Sequence, residues 1–330
     1  MGKRMYALVT VMVAVGLVFG LLGPGAALSA PVKMKAVAFL PVNNEDVAGF
    51  RIFVEKINAK FKDHINIEIL GGPEVTPPFQ LHEAVKKGVI DMAQTSCAYY
   101  PSLLWEAQAA MFTNNTWRER YAAGYYEVMS KLHEGVGLVW LGNSTYNETF
   151  HIYTNKPVKK PADFAGQKIR VFPAFIPLIK ALGAVPINLP MGDIYTAMER
   201  GAVDGFVMTH FGFVKDFSWH EVTKYAIDYD LYRGTAWILV NPKKWNEIPA
   251  DVQKEIIAFK KSMINPEIED YYTKVSAERW QLLLDKGVKP IKFSDADGEA
   301  FMKLAYDSAW ESVIAKSPEM GPKLKKMLVK

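Results

Sequence analysis

One arginine carries the clearest chemistry in this chain. Arg170 stands in the strand-like run Lys168-Ile-Arg-Val171, inside the stretch Asn155–Gly205. A guanidinium is always charged, and its planar fork can hold both oxygens of a carboxylate at once. An arginine on a rigid element beside a cleft therefore suits an anionic headgroup. Catalytic constellations are missing by comparison. His82-Glu83 lacks the second histidine of a zinc-protease helix. Gly142-Asn-Ser144-Thr-Tyr146 lacks the last glycine of a nucleophile elbow. No phosphate-cradling loop and no dinucleotide fingerprint occurs. The 6 histidines show no ligand spacing with cysteine. Asp228 and Asp230 share one face of a strand and read equally well as solvated. No cofactor is expected.

The elements that must position Arg170 follow from periodicity. Met34–Leu40 reads as a strand. Asp46–Phe61 reads as a helix with Val47, Phe50, Phe53, Val54 and Ile57 on one face. Ile65–Leu70 alternates as a second strand. Thr76-Pro77 opens another helix that stops near Gly88, and Val89–Gln94 is a third strand. This β-α-β-α-β order predicts a mostly parallel sheet covered by helices. Ala84-Val-Lys-Lys-Gly-Val-Ile-Asp91 is echoed by Ala197-Met-Glu-Arg-Gly-Ala-Val-Asp204. Each reads as a helix end, a glycine stop and a strand start. The echo predicts two α/β lobes. Leu138–Tyr153 is rich in β-formers and long enough to cross between them, and Tyr229–Asn241 can cross back. Asp251–Met263 and Glu267–Asp285 read as helices separated at Asn265-Pro266. Ser294 to Asp297 reads as a cap for the last long helix.

Bulk properties bound the partners. The 330 residues allow one large domain or two lobes, and with 50% hydrophobic residues a full core is available. A net charge of +4 without a basic stripe argues against nucleic acid. Lys3 and Arg4, an apolar run Tyr6–Leu22 and the small residues up to Ala30 read as an export signal over residues 1–30. Cleavage after Ala27, Ser29 or Ala30 is expected; an uncleaved anchor is the alternative. The sole cysteine, Cys97, is expected to be a buried small residue.

Several blocks, in order, resemble the solute-binding proteins of TRAP transporters, the DctP-like family. They are Lys87-Gly-Val-Ile-Asp91-Met-Ala93, Ala98-Tyr-Tyr100 with Glu106-Ala107, and Pro161-Ala-Asp163-Phe-Ala-Gly166-Gln-Lys-Ile-Arg170-Val171. Ala181-Leu-Gly183, Asp193-Ile-Tyr195, Val203-Asp-Gly205 and Val240-Asn241 through Pro249 follow. The resemblance implies an α/β two-lobe periplasmic-binding-protein-like fold with a central cleft, crossing hinge strands and a long spanning helix. The expected division is lobe I at 31–147 and 235–273, and lobe II at 148–234 and 274–330. It implies delivery of a small organic acid to integral membrane TRAP transporter subunits, without catalysis. Arg170 matches the family arginine that pairs with a substrate carboxylate. Phe150 falls where family members for acidic sugars and dicarboxylates often carry a second arginine. Val207 falls near a metal-holding carboxylate of keto-acid binders, which argues against a metal. The candidate pocket is Phe39, Ser96, Tyr99, Tyr100, Phe150, Phe206, Met208 and Trp237 around Arg170. Such a lining suits a monocarboxylate with an apolar or aromatic body, since extra polar groups lack partners. A binding protein for an ATP-driven importer or sensor kinase, and an exported hydrolase, are the alternatives.

Overall fold

A computed structural model of the chain describes residues 30–330. The expected export signal lies outside the described residues, apart from its last position. Eleven strands form two sheets. The first four are β1 (Val32–Ala38), β2 (Ile65–Gly71), β3 (Met92–Ser96) and β4 (Val139–Asn143). Then come β5 (His151–Thr154), β6 (Lys168–Val171), β7 (Val185–Asn188), β8 (Gly205–Met208) and β9 (Tyr225–Ile227). The last two are β10 (Ala236–Val240) and β11 (Lys289–Ile291). The first sheet has the order β2-β1-β3-β10-β4, and the second β11-β9-β5-β8-β6-β7. The β-α-β pairs run parallel, as the alternation of elements predicts. β10 enters the first sheet antiparallel, between β3 and β4. Every residue of β10 is buried, and the strand is paired along both edges. This is a two-lobe periplasmic-binding fold.

The crossings form a hinge. The chain leaves β4 for the second sheet through residues 144–150 and returns through 228–235. These segments run antiparallel and bond to each other. Phe150 N–H donates to Tyr232 O at 3.0 Å, Leu231 N–H to Phe150 O at 3.1 Å, and Gly234 N–H to Glu148 O at 3.1 Å. Each rung satisfies backbone groups that would otherwise be buried without partners.

The helix Ala48–Lys60 buries Phe50, Phe53, Val54 and Ile57, the face that its periodicity predicts. Asp46, expected inside that helix, sits instead in a 3₁₀ turn, Glu45–Val47. Asn44 caps this turn by accepting from Asp46 N–H at 2.9 Å. Both echoed glycines adopt the left-handed conformation, with φ of 73° at Gly88 and 66° at Gly201.

The helices expected to be separated at Pro266 are continuous. Ala250–Phe259 passes through a π turn, Lys260–Ile264, into Asn265–Asp285. The π turn shifts the hydrogen-bond register just ahead of Pro266, which has no N–H to donate. The resulting rod touches both lobes. Lys56 pairs with Glu267 at 3.0 Å on the first-sheet side. His210 Nε2 and Ser276 Oγ lie 2.9 Å apart on the second. Ser294 caps the helix Asp295–Lys316, with Asp297 N–H donating to its Oγ at 3.3 Å. No helix among the described residues is long and apolar enough to cross a membrane.

Candidate ligand site between the lobes

Arg170 lies in the interior of the second sheet, opposite Ile187 on β7 and Phe206 on β8. Its side chain is 0% exposed. Nε donates to Leu189 O at 2.9 Å, and Nη1 lies 3.3 Å from both Val207 O and Met208 Sδ. Its Cζ stands 4.1 Å over the Phe172 ring, a cation–π contact. Nη2 is buried and has no partner. Burial draws the guanidinium pKa down to about 10, so the group stays charged at neutral pH. Among the described residues no carboxylate forms an ion pair with it. A buried, unpaired charge is costly, and the cost is relieved by an anion bonded to its free donor.

A cavity of about 40 Å³ adjoins this arginine through Phe172 and Met208. Its walls come from three places. Phe39, Asp46, Ser96, Ala98 and Tyr99 belong to the first lobe's strand ends. Glu148, Phe150 and Gly234 belong to the hinge crossings, with Thr235 and Ala236 leading into β10. Phe172, Met191, Met208 and Thr209 belong to the second sheet's side. Ligands in open α/β sheets sit beyond the carboxyl ends of strands, which is where these walls converge. Forty cubic ångströms is far below the roughly 300–1,000 Å³ of small-molecule pockets. Admitting an organic acid therefore requires the lobes to part about the hinge. A groove of about 810 Å³ lies outside, between Thr76–Val89 on one lobe and Pro173 and Asn188 on the other. Tyr99 lines both the groove and the cavity. Burial pushes its phenol up to about 12, with Arg170 pulling it down and Asp46 pushing it up. At neutral pH it therefore keeps its proton and remains a hydrogen-bond donor.

Of the residues singled out from sequence, Phe39, Ser96, Tyr99, Phe150 and Met208 line this cavity, and Arg170 adjoins it. Ser96 Oγ lies 3.2 Å from Thr235 Oγ1 across the β3–β10 pairing. Tyr100, Phe206 and Trp237 are outside the lining and pack in the cores. Tyr100 bonds His133 at 3.0 Å and packs beside Trp237. Trp237 also packs against Trp140. Phe206 stacks on Tyr153 and Phe213. Cys97 is buried and free, its Sγ 3.1 Å from Thr235 Oγ1, and burial pushes its thiol up to about 12.

The residues that sequence reasoning missed are Asp46 and Glu148 above all. Both side chains line the cavity, and burial raises the pKa of both, with Glu148 pushing Asp46 up further. Phe172 and Met191 complete the apolar wall. The strand pleat carries the next residue, His151, to the opposite side of the hinge. There His151 and His210 line a separate cavity of about 480 Å³ with Trp280. Burial first, and His151 second, push His210 down to about 3. No group of three or more potential metal ligands occurs among the described residues.

Comparisons with known proteins bear on the family and the fold. The chain is 25% identical over 267 residues to the monocarboxylate 2-oxoacid-binding periplasmic protein of Nostoc sp., covering 77% of this chain and 70% of that one. It is 25% identical over 304 residues to the C4-dicarboxylate-binding periplasmic protein DctP of Rhodobacter capsulatus, covering 87% and 86%. A TRAP periplasmic solute-binding protein from Desulfovibrio salexigens, solved with bound orotic acid, superposes with a TM-score of 0.80. It shares 20% identity, over 90% of this chain and 97% of that one. The family described as bacterial extracellular solute-binding protein, family 7, matches residues 38–317, so the chain belongs to the DctP family of TRAP solute-binding proteins.

Proposed function

We propose that this protein is the periplasmic receptor of a TRAP transporter for a small organic acid bearing one carboxylate and a largely apolar body. One observation carries the reading: a fully buried arginine with an unpartnered Nη2 beside a cavity walled by Phe39, Phe150, Phe172, Met191 and Met208. The carboxylate takes the free donor of Arg170, and Tyr99 and Ser96 supply neutral hydrogen bonds. The lobes, taken as 31–147 with 235–273 and 148–234 with 274–330, close on the ligand about the crossings. Sheet membership supports this division. The closed form then docks on the integral membrane subunits. A second carboxylate on the ligand would meet no further cation, which disfavours dicarboxylates.

The test is a thermal-shift screen of aliphatic and aromatic monocarboxylates against dicarboxylates and sugar acids. A ligand at a hundredfold excess over its Kd stabilises the folded state by about 2.7 kcal/mol. Monocarboxylates are expected to raise the melting point in the wild type and to leave Arg170→Met unmoved. A response confined to dicarboxylates would overturn the reading of the ligand, and unaltered binding by Arg170→Met would remove that arginine from the site.

A further inference from the structure

Arg170 accounts for one end of a ligand, and the cavity holds a second charged feature. Asp46 enters from the 3₁₀ turn beyond β1, and Glu148 from the hinge crossing beyond β4. They are 5% and 4% exposed, and both line the cavity. Asp46 Oδ1 and Glu148 Oε1 are buried with no partner. Room for the pair is built into the backbone. A Cβ at position 234 would stand 2.2 Å from Glu148 Oε2, so the crossing strand carries glycine where the carboxyl lies.

No lysine or arginine forms an ion pair with either group among the described residues. The groups facing them are mostly acidic or neutral. Glu45 and Asp216 act on Asp46 and are themselves engaged elsewhere. Glu45 pairs with Arg279, and Asp216 accepts from Asn44 Nδ2 at 2.7 Å. Tyr272 feels both carboxyls from the spanning helix, and Tyr99 feels Asp46. Arg279 is held by Glu45, so Arg170 is the unpaired cation at this cavity. Burial first, and Glu148 second, raise Asp46 well above its ordinary value, and burial raises Glu148, which favours one proton shared between two neighbouring carboxyls.

Charge balance then discriminates between ligands. Arg170 contributes one positive charge and the pair one negative, so the closed site is neutral. A simple monocarboxylate satisfies Arg170 but leaves a net negative charge in a dry enclosure. The pair must then take up a second proton. A ligand that carries a protonated nitrogen beside its carboxylate keeps the balance, and its N–H groups supply donors for the two unpartnered oxygens. We propose that the physiological ligand is such a zwitterion, an amino acid with an apolar side chain, its carboxylate on Arg170 and its ammonium on Asp46 and Glu148. This rests on Arg170 holding the carboxylate. A resident cation in place of the ammonium has only two protein carboxylates to bind it and no third anionic ligand.

The experiment is calorimetry with matched pairs, each an apolar α-amino acid and the same acid without its amine, between pH 5 and pH 8. The amino acid is expected to bind about 100-fold more tightly, with its affinity falling as the pH drops and the pair loses its charge. Glu148→Gln should remove most of that preference, read as the ratio of the two affinities within each pair. Asp46→Asn, with melting points recorded for both variants, guards against a folding defect. Three results would overturn the inference while leaving Arg170 in place. The first is an amine-free acid that binds as tightly or better, with affinity rising as pH falls and a proton taken up. The second is binding of that acid that requires added sodium or calcium ions. The third is a panel in which no amino acid shifts the melting point although amine-free acids do. Failure of the carboxylate reading looks different: Arg170→Met would then bind both members of each pair as the wild type does.

Discussion

Lys35 and Lys168 occupy equivalent places in the two sheets. Lys35 N–H donates to Asp91 Oδ2 at 2.8 Å, and Lys168 N–H donates to Asp204 Oδ2 at 2.9 Å. In return Asp91 N–H donates to Lys35 O at 2.9 Å and Asp204 N–H to Lys168 O at 2.7 Å. Each aspartate follows a helix stopped by a left-handed glycine. Two residues beyond the lysines stand Val37 and Arg170, both fully buried. Two further on stand Phe39 and Phe172, both on the cavity, and the neighbouring strands end at Ser96 and Met208, also on the cavity. The frame is the same in both lobes, and the charge is in one. Such a repeat lets a single position place the charge in one lobe while both supply walls.

That comparison can be broken most severely by moving the charge. Val37→Arg puts a second buried guanidinium where no carboxylate waits, and should cost about 3–5 kcal/mol in chemical denaturation. A stable, soluble variant would mean that the two positions are less different than their surroundings imply. Arg170→Met makes the second lobe resemble the first. Ligand affinity should fall by about 100-fold or more in calorimetry, while the unliganded melting point holds or rises, because a buried unpaired charge is gone.

Smaller effects should be symmetric. Gly88→Ala and Gly201→Ala each force a Cβ into the left-handed region, at about 1–2 kcal/mol apiece. The added Cβ meets only Asn241 Nδ2, at 3.5 Å, in the first and nothing in the second, so strain and not clash sets both costs. Unequal losses in urea titrations would show that the stops are not equivalent. The mildest change is Asp204→Asn, at about 1 kcal/mol from a weakened charge-assisted bond. The backbone N–H of Lys168 first, then Lys156, hold the Asp204 carboxyl below its ordinary range. Its stabilisation is complete above the unfolded value of about 3.9 and is lost as pH falls through the lower folded value. The acid limb of the stability curve should therefore be shallower in Asp204→Asn than in the wild type.

Local signals carried the frame. The glycine stops, the alternating strands and the Ser294 cap depend on neighbours in sequence, and each is found where its residues stand. Aromatic residues were harder to assign. Tyr99 and Ala236 line the cavity, whereas Tyr100 and Trp237, one residue along, are in the core. Phe206 shares a strand face with Met208 but sits mid-strand, opposite Arg170, where it meets Trp219 at 5.3 Å and no cavity. Only the strand's end reaches the cleft. Residue type cannot report that position along a strand.

The order of strands and the arginine that a carboxylate would seek were written in the chain itself, because backbone propensity and hydrophobic period act over a few residues. The meeting of Asp46 with Glu148 on one cavity, and the placing of Arg170 behind its Phe172 and Met208 wall, were decided by the tertiary structure. Those residues lie far apart in sequence, on a turn, a hinge and a strand. Their ionisation follows from burial and from one another, and neither exists until the two lobes are folded around the crossing segments.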